Sequence, residues 1–396
     1  MAIDNKDKKI LNVPPLRFPE FTEEWKAEQL DNIATLSKGI GISKEQLSED
    51  GEPCILYGEL YTKYKSEIIK QVESKTDING SKLKRSKAND VIIPCSGETA
   101  VDIATARCVP FDNILFGGDL NVISLHQYDG AFMSYQLNGK RKYDIARVAQ
   151  GVSIVHLYGE HLKAIKTYNP TLPEQQKIAK LLSLLDDRID TQNKIIKDLK
   201  KLKSAIVDRL YSSINGETYS FHQLFEVANE KNKKLIYKNV LSASQEFGMI
   251  ERSDINIDIK FEQDSISGYK IVRNGDYVVH LRSFQGGFAF SDRTGICSPA
   301  YTILRPNDLV GYGYLSHFFT SKLFIKSLKL VTYGIRDGRS INVDEWLNMT
   351  VTLPNIQEQV RILTIINAID AKLHIEIKKQ SCLFRQKSYL LNTMFI

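Results

Sequence analysis

Two segments in the second half of the chain carry the side chains best suited to binding planar hydrogen-bonding partners. Arg282, Ser283 and Gln285 follow an apolar run and precede two glycines, so a loop at the end of a strand would present them. The forked donors of arginine match the edge of guanine, and the amide of glutamine matches the edge of adenine. The alternative is a tight turn with a surface arginine.

Further basic residues accompany this loop. Arg336 and Arg339 lie in a segment with two glycines and suit phosphate or base contacts, unless they form an internal salt bridge with Asp337. Lys231 and Lys233 belong to a basic run that would follow phosphates, or else to a solvated loop.

The corresponding segment of the first half is 95–100. Ser96 and Thr99 are adaptable donors there, and Glu98 can accept from cytosine N4, but an arginine is missing. The two loops are therefore not interchangeable. Additional candidates for base or phosphate contacts have a positive charge or an aromatic ring, although a surface residue that only aids solubility would look the same. They are Lys38, Tyr57, Lys63, Lys140 and Arg141.

Catalytic motifs are missing from the sequence. There is no phosphate-binding GxxxxGK[ST] loop, no Pro-Asp dipeptide of the usual nuclease pattern, and no Asn-Pro-Pro-aromatic motif of amino-methyltransferases. His156 and His161 are five residues apart, which does not fit the helical zinc motif, and the five scattered cysteines contain no CxxC pair. We therefore expect a binding protein that is not an enzyme and holds no cofactor or metal.

The sequence that must form the elements positioning these residues occurs twice in the chain. Pro170, Glu174, Gln175, Ile178 and Asp186 recur as Pro354, Glu358, Gln359, Ile362 and Asp370, and no gap is needed to align the two sets. We call this constant separation in the numbering the repeat offset. It is far too long for a solenoid, whose units run to about 20–50 residues. The repeat predicts a globular region followed by a helix, present in two copies. A protein that contains the same unit twice suggests a target that is itself in two halves.

Each copy ends in a long amphipathic helix. In the central copy apolar residues recur every three or four positions, with one skip at Gln192. No glycine intervenes over about 40 residues, or about 60 Å of helix. Such a narrow stripe favours a coiled-coil seam. The residues assigned to helix packing are Ile178, Leu182, Leu185, Ile189, Ile196, Ile362, Ile366, Ile369, Leu373 and Ile377.

The predicted organisation has five parts. They are a lead-in at 1–20, a first domain at 21–170, a central helix at 171–215, a second domain at 216–353 and a C-terminal helix at 354–396. The fold class is α+β: two α/β domains separated by two long antiparallel helices, with a pseudo-two-fold internal repeat. The net charge of +6 is compatible with nucleic acid without being diagnostic. No signal peptide or apolar span is recognisable, so we expect a cytoplasmic protein.

Several motifs resemble the specificity subunits of type I restriction–modification systems. They are Leu16-Arg-Phe-Pro-Glu-Phe21 with Trp25, the Glu-Gln pairs at 174 and 358 that begin each helix, and 281–287 followed by Ser298-Pro-Ala-Tyr301. The resemblance covers essentially the whole chain, and the order, spacing and duplication of the motifs agree.

The resemblance implies a division of labour. Each domain would be a target-recognition domain that reads one half of a bipartite, asymmetric double-stranded DNA site, and the antiparallel helices would set the spacer. Two methyltransferase subunits would dock around the helices with S-adenosylmethionine, and restriction/translocase subunits would supply ATP- and Mg²⁺-dependent cleavage. Two alternatives stay open: a coiled-coil protein-interaction adaptor without DNA specificity, and the specificity subunit of a nuclease–methylase that lacks translocase subunits.

Overall fold

The structure is a computed structural model that describes residues 11–79, 82–244, 247–254, 263–280, 287–333 and 340–396. The chain divides into two compact units. Unit 1 comprises Met1–Asn193 with Lys378–Ile396, and unit 2 comprises Lys194–Ile377. Each unit therefore contains one α/β domain and parts of both long helices.

Unit 1 contains twelve strands in its described residues. They are β1 (Lys26–Gln29), β2 (Ala34–Lys38), β3 (Glu52–Ile55), β4 (Ser74–Thr76), β5 (Lys84–Arg85), β6 (Asp90–Pro94), β7 (Ser96–Gly97), β8 (Arg107–Val109), β9 (Leu115–Phe116), β10 (Leu120–Leu125), β11 (Val155–His156) and β12 (Lys166–Asn169). Its short helices are α1 (Leu30–Ile33), α2 (Glu59–Thr62), α3 (Ala100–Ile103), α4 (Gly130–Asn138), α5 (Lys142–Val148) and α6 (Gly159–Lys163).

Unit 2 contains a second set of strands. They are β13 (Glu217–Ser220), β14 (Phe225–Ala228), β15 (Leu241–Ser244), β16 (Gly248–Glu251), β17 (Lys270–Val272), β18 (Tyr277–Val279), β19 (Phe288–Phe290), β20 (Gly295–Cys297), β21 (Thr302–Pro306), β22 (Thr332–Tyr333), β23 (Ser340–Ile341) and β24 (Thr350–Leu353). Its short helices are α8 (Phe221–Leu224), α9 (Tyr314–Phe318), α10 (Lys322–Ser327) and α11 (Val343–Leu347).

The two long helices are α7 (Leu172–Ser212) and α12 (Ile356–Thr393). Pro173 fits the first turn of α7, where a missing N–H leaves no hydrogen bond unmade. Asn355 precedes α12, and its side-chain oxygen accepts from the N–H of Glu358 at 2.9 Å. The predicted α+β class with two long helices is confirmed.

The two domains share the same order of strands, which we call their frame, although their sequences have little in common. In unit 1, β1 pairs with β12 and the central antiparallel sheet has the order β2-β10-β6-β8. In unit 2, β13 pairs with β24 and the central sheet has the order β14-β21-β18-β19. The copies differ in their smaller sheets, which are β4-β3-β9-β5 in unit 1 and the pairs β15-β16 and β17-β20 in unit 2.

Each unit has its own apolar core. In unit 1, Trp25 and Phe132 pack with Ile178 and Leu182 of α7 and with Phe395 near the end of the chain. In unit 2, Phe221 stacks on Trp346 with ring centroids 4.2 Å apart, within a cluster that also contains Ile362 and Ile366 of α12. The same two positions of the repeated helix, 178 and 182 or 362 and 366, therefore anchor each domain.

Within the described ranges, no helix has the length and apolarity needed to cross a bilayer. Across those ranges there is also no cluster of three or more histidine, cysteine, aspartate or glutamate side chains placed to hold a metal ion.

Candidate functional site

The stripe residues assigned to helix packing differ in burial. Seven are buried: Ile178, Leu182, Leu185, Ile189, Ile196, Ile362 and Ile366. Ile369 and Leu373 are half-buried, and Ile377 is 36% exposed. Burial is therefore greatest where each helix packs on its own domain.

A buried ion cluster joins the two long helices in unit 1. Nζ of Lys387 in α12 lies 2.7 Å from Asp186 of α7 and 2.6 Å from Glu67 of the domain. The hydroxyl of Tyr135 in α4 donates to Asp186 at 2.7 Å. Asn193 accepts from Gln380 further along the helices, so the two helices run antiparallel there.

The repeat places a copy of this cluster in unit 2. Lys203 and Asp370 are related to Lys387 and Asp186 by the repeat offset, with their roles exchanged between the helices, and they pair at 2.6 Å. His317 of α9 approaches Asp370 at 3.8 Å, as Tyr135 of α4 approaches Asp186. The unit 2 pair is more exposed than the unit 1 pair, at 26% and 35% against 15% and 4% for the lysine and aspartate side chains.

A second repeated contact fixes the start of each helix. The side chain of Gln175 accepts from the N–H of Asp129 at 2.9 Å and donates to the carbonyl of Pro170 at 2.8 Å. The side chain of Gln359 likewise accepts from Gly311 and donates to Pro354. Both glutamines are buried, so their amides satisfy backbone groups at the junction of helix and domain.

The residue before each glutamine is a glutamate in both copies, but its contacts differ. Glu174 is fully buried and accepts two bonds of 2.7 Å from Arg17 and one of 3.3 Å from the Trp25 ring N–H. Glu358 is paired with Arg361 of its own helix. The Leu16–Phe21 and Trp25 motif therefore anchors the lead-in to α7 in unit 1.

Burial and neighbouring charges shift the protonation of both clusters. Burial lowers the pKa of Lys387, but the carboxylates of Glu67 and Asp186 outweigh it, so the pKa is raised and the ammonium persists. Burial also lowers the pKa of His317, helped by Lys203, and Asp370 opposes the shift without cancelling it. His317 therefore stays neutral in the folded state at a pH where an unfolded histidine gains a proton.

This shift gives unit 2 a pH dependence. A histidine with a lowered pKa contributes its full stability above the unfolded value of about 6.5, and that contribution falls as pH drops through it. We expect His317→Tyr, which restores the residue type of Tyr135, to remove up to about 1 kcal/mol of the stability loss between pH 7.5 and 5.5. The free energy of unfolding at each pH is measured by urea unfolding, followed by the fluorescence of Trp346 in a Trp25→Phe background. His374→Tyr, at an exposed position of α12, is the control, and equal pH slopes in all variants would contradict the assignment.

The predicted loop of the first domain is built into a strand and a helix cap. Ser96 lies in β7 opposite His156, and its Oγ is 3.2 Å from Nδ1 of that ring. Thr99 caps α3 by accepting from the N–H of Asp102 at 3.0 Å. Glu98 lies between them and is exposed.

An open groove brings several predicted residues together in unit 1. This unit 1 groove has a volume of about 730 Å³, and its walls include Tyr57, Ser96, Glu98, Asp102 and Arg107. Carboxylates, hydroxyls and an aromatic ring are thus available to a planar polar ligand. Thr99, Lys38, Lys63, Lys140 and Arg141 are not among its lining residues. Lys38 is exposed, with its ammonium 5.8 Å from the ring centroid of Tyr158.

Sequence reasoning missed an exposed apolar turn beside this groove. Ile154 lines the groove and is 61% exposed, and Val152 is 97% exposed. Gly151 has a φ of +121°, and a Cβ there would lie 2.1 Å from the carbonyl oxygen of Ile154, so the turn requires glycine. The Gly-x-Ser-Ile pattern shared by 151 and 338 was the available signal, but on its own it indicates only how the two copies align.

Some predicted cations are engaged inside unit 1. Lys63 pairs with the buried Glu59 at 2.7 Å and donates to Ser74. Arg141 donates to the carbonyl of Ile396 at 2.8 Å and pairs with Asp144, whereas the neighbouring Lys140 is half-buried. These contacts are structural, and the assignment of the three residues to DNA stays a prediction.

In unit 2, Lys231 and Lys233 are exposed on either side of Asn232. That buried amide holds the loop through two bonds to Tyr237, so the lysines project from a fixed turn. The other predicted residues of this domain lie outside the described residues: Arg282, Ser283, Gln285, Arg336 and Arg339.

Comparison with known sequences shows which protein family has this sequence pattern. Residues 22–201 and 216–382 match the sequence model of a family described as the type I restriction modification DNA specificity domain. The chain is 23% identical over 428 residues to the type I restriction enzyme MjaVIII specificity subunit of Methanocaldococcus jannaschii, covering 98% of this chain and 95% of that one. It is also 23% identical over 259 residues to the putative type I restriction enzyme MjaX specificity subunit of the same organism, covering 59% of each.

Solved structures agree with the fold. The S subunit of a type I restriction-modification system from M. genitalium aligns with a TM-score of 0.58 at 15% identity, covering 97% of this chain and 99% of that chain. A chain from a structural study of complex assembly and conformational transition in the type I R-M system aligns with a TM-score of 0.59 at 15% identity, covering 96% and 99%.

Proposed function

The chain belongs to the type I restriction–modification DNA specificity family, and on that premise we propose that each of its two domains reads one half of a bipartite, asymmetric DNA target. The observation that carries the proposal is the unequal duplication. The frame is repeated in sheet order, helix-start glutamines and interhelical ion pairs, whereas the candidate recognition segments 95–100 and 282–285 differ in sequence.

In this proposal α7 and α12 set the spacer between the half-sites and bind two methyltransferase subunits. S-adenosylmethionine would be bound by those partners, and ATP and Mg²⁺ by restriction/translocase subunits where these are present. The chain itself would contribute recognition and no catalytic group. The repeated ion pairs and glutamine contacts support this role, because they fix each domain on the helices at defined positions.

The unit 1 groove supplies the candidate readers of one half-site. Glu98 is exposed at its edge and can accept from the N4 amino group of cytosine, while Ser96 and Tyr57 offer hydroxyls. Val152 and Ile154 add apolar surface of the kind that contacts thymine methyl groups.

The test selects bound sequences from a random duplex pool, using the chain assembled with its methyltransferase subunit. We expect two short motifs separated by a fixed gap, with binding that weakens about a thousandfold between 50 and 200 mM salt. Glu98→Gln should weaken the preference at one base pair by about 5- to 150-fold and leave the other half-site unchanged.

Glu49→Gln is the matched control, since Glu49 is exposed and is not among the residues that line the unit 1 groove. If no motif is enriched and binding is insensitive to salt, the chain acts as a protein-interaction adaptor. If Glu98→Gln alters both half-sites, the division of reading between the two domains is wrong.

A further inference from the structure

In unit 1 a segment of the domain itself covers one face of the helix pair. Ser66 donates to Asp186 at 3.0 Å, Glu67 pairs with Lys387, and Lys70 pairs with Asp187 at 2.7 Å and Asp190 at 2.8 Å. Between these polar contacts Ile69 is buried in the domain core, and Ile68 packs beside Trp25. The segment Ser66–Lys70 thus presents to the helices a carboxylate, the apolar side chain of Ile68 and a cation.

Among the residues of unit 2 that the structure describes, none covers the equivalent helix face as Ser66–Lys70 does in unit 1. The repeat offset relates Asp370, Ala371, His374 and Lys203 to Asp186, Asp187, Asp190 and Lys387, and the four unit 2 residues all line a groove of about 750 Å³. The residues that contact Ser66–Lys70 in unit 1 therefore have counterparts in the wall of this unit 2 groove. Its opposite wall comes from the β15–β16 hairpin, β19 and α9.

The lining of the unit 2 groove is suited to a protein segment. Phe247 is 69% exposed, and Phe290, Leu373 and Ile377 add apolar surface. Lys203 is 26% exposed beside Asp370, so a second carboxylate can reach it as Glu67 reaches Lys387. This apolar surface suits a side chain such as Ile68, which packs with helix residues in unit 1.

The charge of the helix face has changed sign. At the five positions 186, 187, 190, 384 and 387, unit 1 has three carboxylates and one lysine. At 370, 371, 374, 200 and 203, unit 2 has one carboxylate, two lysines and a histidine. The two carboxylates that hold Lys70 are replaced by Ala371 and His374, so a cation at that position is disfavoured and an anion is favoured.

We propose that the unit 2 groove binds a segment of a partner protein in which a carboxylate precedes an apolar residue and an acidic residue replaces the cation of Lys70. A second copy of this chain does not supply that segment, because its own Ser66–Lys70 is engaged in its unit 1. The proposal goes beyond DNA recognition, since it makes the two halves of the helix frame inequivalent toward protein partners.

The probe is a fluorescein-labelled peptide with the sequence of residues 63–72, titrated with the full chain and followed by fluorescence anisotropy. We expect saturable binding at about 0.1–1 mM, as for a short unstructured segment. The Lys70→Glu peptide should bind about fivefold more tightly at low salt, and the Glu67→Gln peptide more weakly. A scrambled peptide of the same composition should not saturate.

A reciprocal variant of the chain locates the binding. Ala371→Asp with His374→Asp restores the carboxylates of unit 1, and it should reverse the preference so that the peptide with Lys70 binds more tightly than the Lys70→Glu peptide. Thr364→Asp with Ala368→Asp also introduces two carboxylates, at exposed positions of α12 outside the groove, and should leave the preference unchanged.

Three results would overturn the proposal. They are no saturable binding up to 5 mM, a peptide preference that the reciprocal variant does not reverse, and an equal reversal in the control variant. A fourth result would assign the groove to nucleic acid instead: duplex DNA that displaces the peptide and binds more weakly to the reciprocal variant. None of these readouts depends on methyltransferase assembly or on a DNA motif, so they are separate from the test of DNA recognition.

Discussion

Asp186→Ala is expected to destabilise unit 1 by about 3–5 kcal/mol, because it leaves a buried ammonium without one of its two carboxylates. Lys387 is 15% exposed, and it would retain only Glu67. The change also removes the acceptor of the Tyr135 hydroxyl, which is buried in the same cluster. Urea unfolding followed through Trp25 in a Trp346→Phe background measures the effect in unit 1, since these are the two tryptophans of the chain.

The internal repeat supplies the matched control. Asp370→Ala makes the same change at the equivalent position of unit 2, where the aspartate side chain is 35% exposed. Water replaces much of the lost interaction at such a site, so a loss of about 1 kcal/mol or less is expected there, followed through Trp346. Equal losses in the two units would contradict the view that burial decides the strength of this repeated contact.

Lengthening both helices by four residues is expected to weaken binding to the native DNA target about a hundredfold or more. Insertion after Asn193 in α7 and after Ile377 in α12 places the extra turn at positions related by the repeat offset, where the two units divide. Four residues add about 6 Å to a helix, and DNA rises about 3.4 Å per base pair. Binding should therefore be restored on a target whose spacer is about two base pairs longer.

Competition among duplexes that differ only in spacer length measures this shift. An eight-residue insertion extends the series and should move the preferred spacer by about three to four base pairs. If both insertion variants kept the native spacer, the helices would not set the distance between the half-sites.

The parts of the fold that follow from the sequence are those with a long, regular signal. The stripe from Ile178 to Ile196 repeats at the helical period for several turns, and the repeat offset aligns Gln175 with Gln359 without a gap. Side chains with the same local role occur at the same spacing in both copies, so both helices and their starts were predictable. The motifs that resemble specificity subunits gave the family, and the match to both halves of the chain confirms it.

The equivalent frames of the two domains were harder to predict, because their residues have changed while their geometry is shared. Tyr135 and His317 both approach a repeated aspartate, but they differ in type and are not related by the repeat offset that aligns the helices. The order of the central sheet depends on pairing between strands far apart in sequence, such as β2 with β10. Alternation within short strands does not specify such partners.

The candidate readers were predicted with the least detail. Ser96 and Glu98 were proposed from the sequence as candidates, but the groove that brings them near Tyr57 depends on α2, a helix that lies well before them in the chain. Lys63 and Arg141 have the charge expected of DNA contacts, yet each has an internal acidic partner that the sequence did not indicate. The exposure of Val152 depends on a turn whose geometry is fixed by Gly151.

Methylation mapping of genomic DNA tests the central claim most directly. Cells that carry the chain and its methyltransferase subunit should methylate one asymmetric motif made of two short defined sequences and a gap of fixed length. Cells that carry the four-residue insertion variant should methylate the same two sequences with a gap about two base pairs longer. A continuous or palindromic motif, or a gap that is identical in both strains, would contradict the account of two separate readers held apart by the helices.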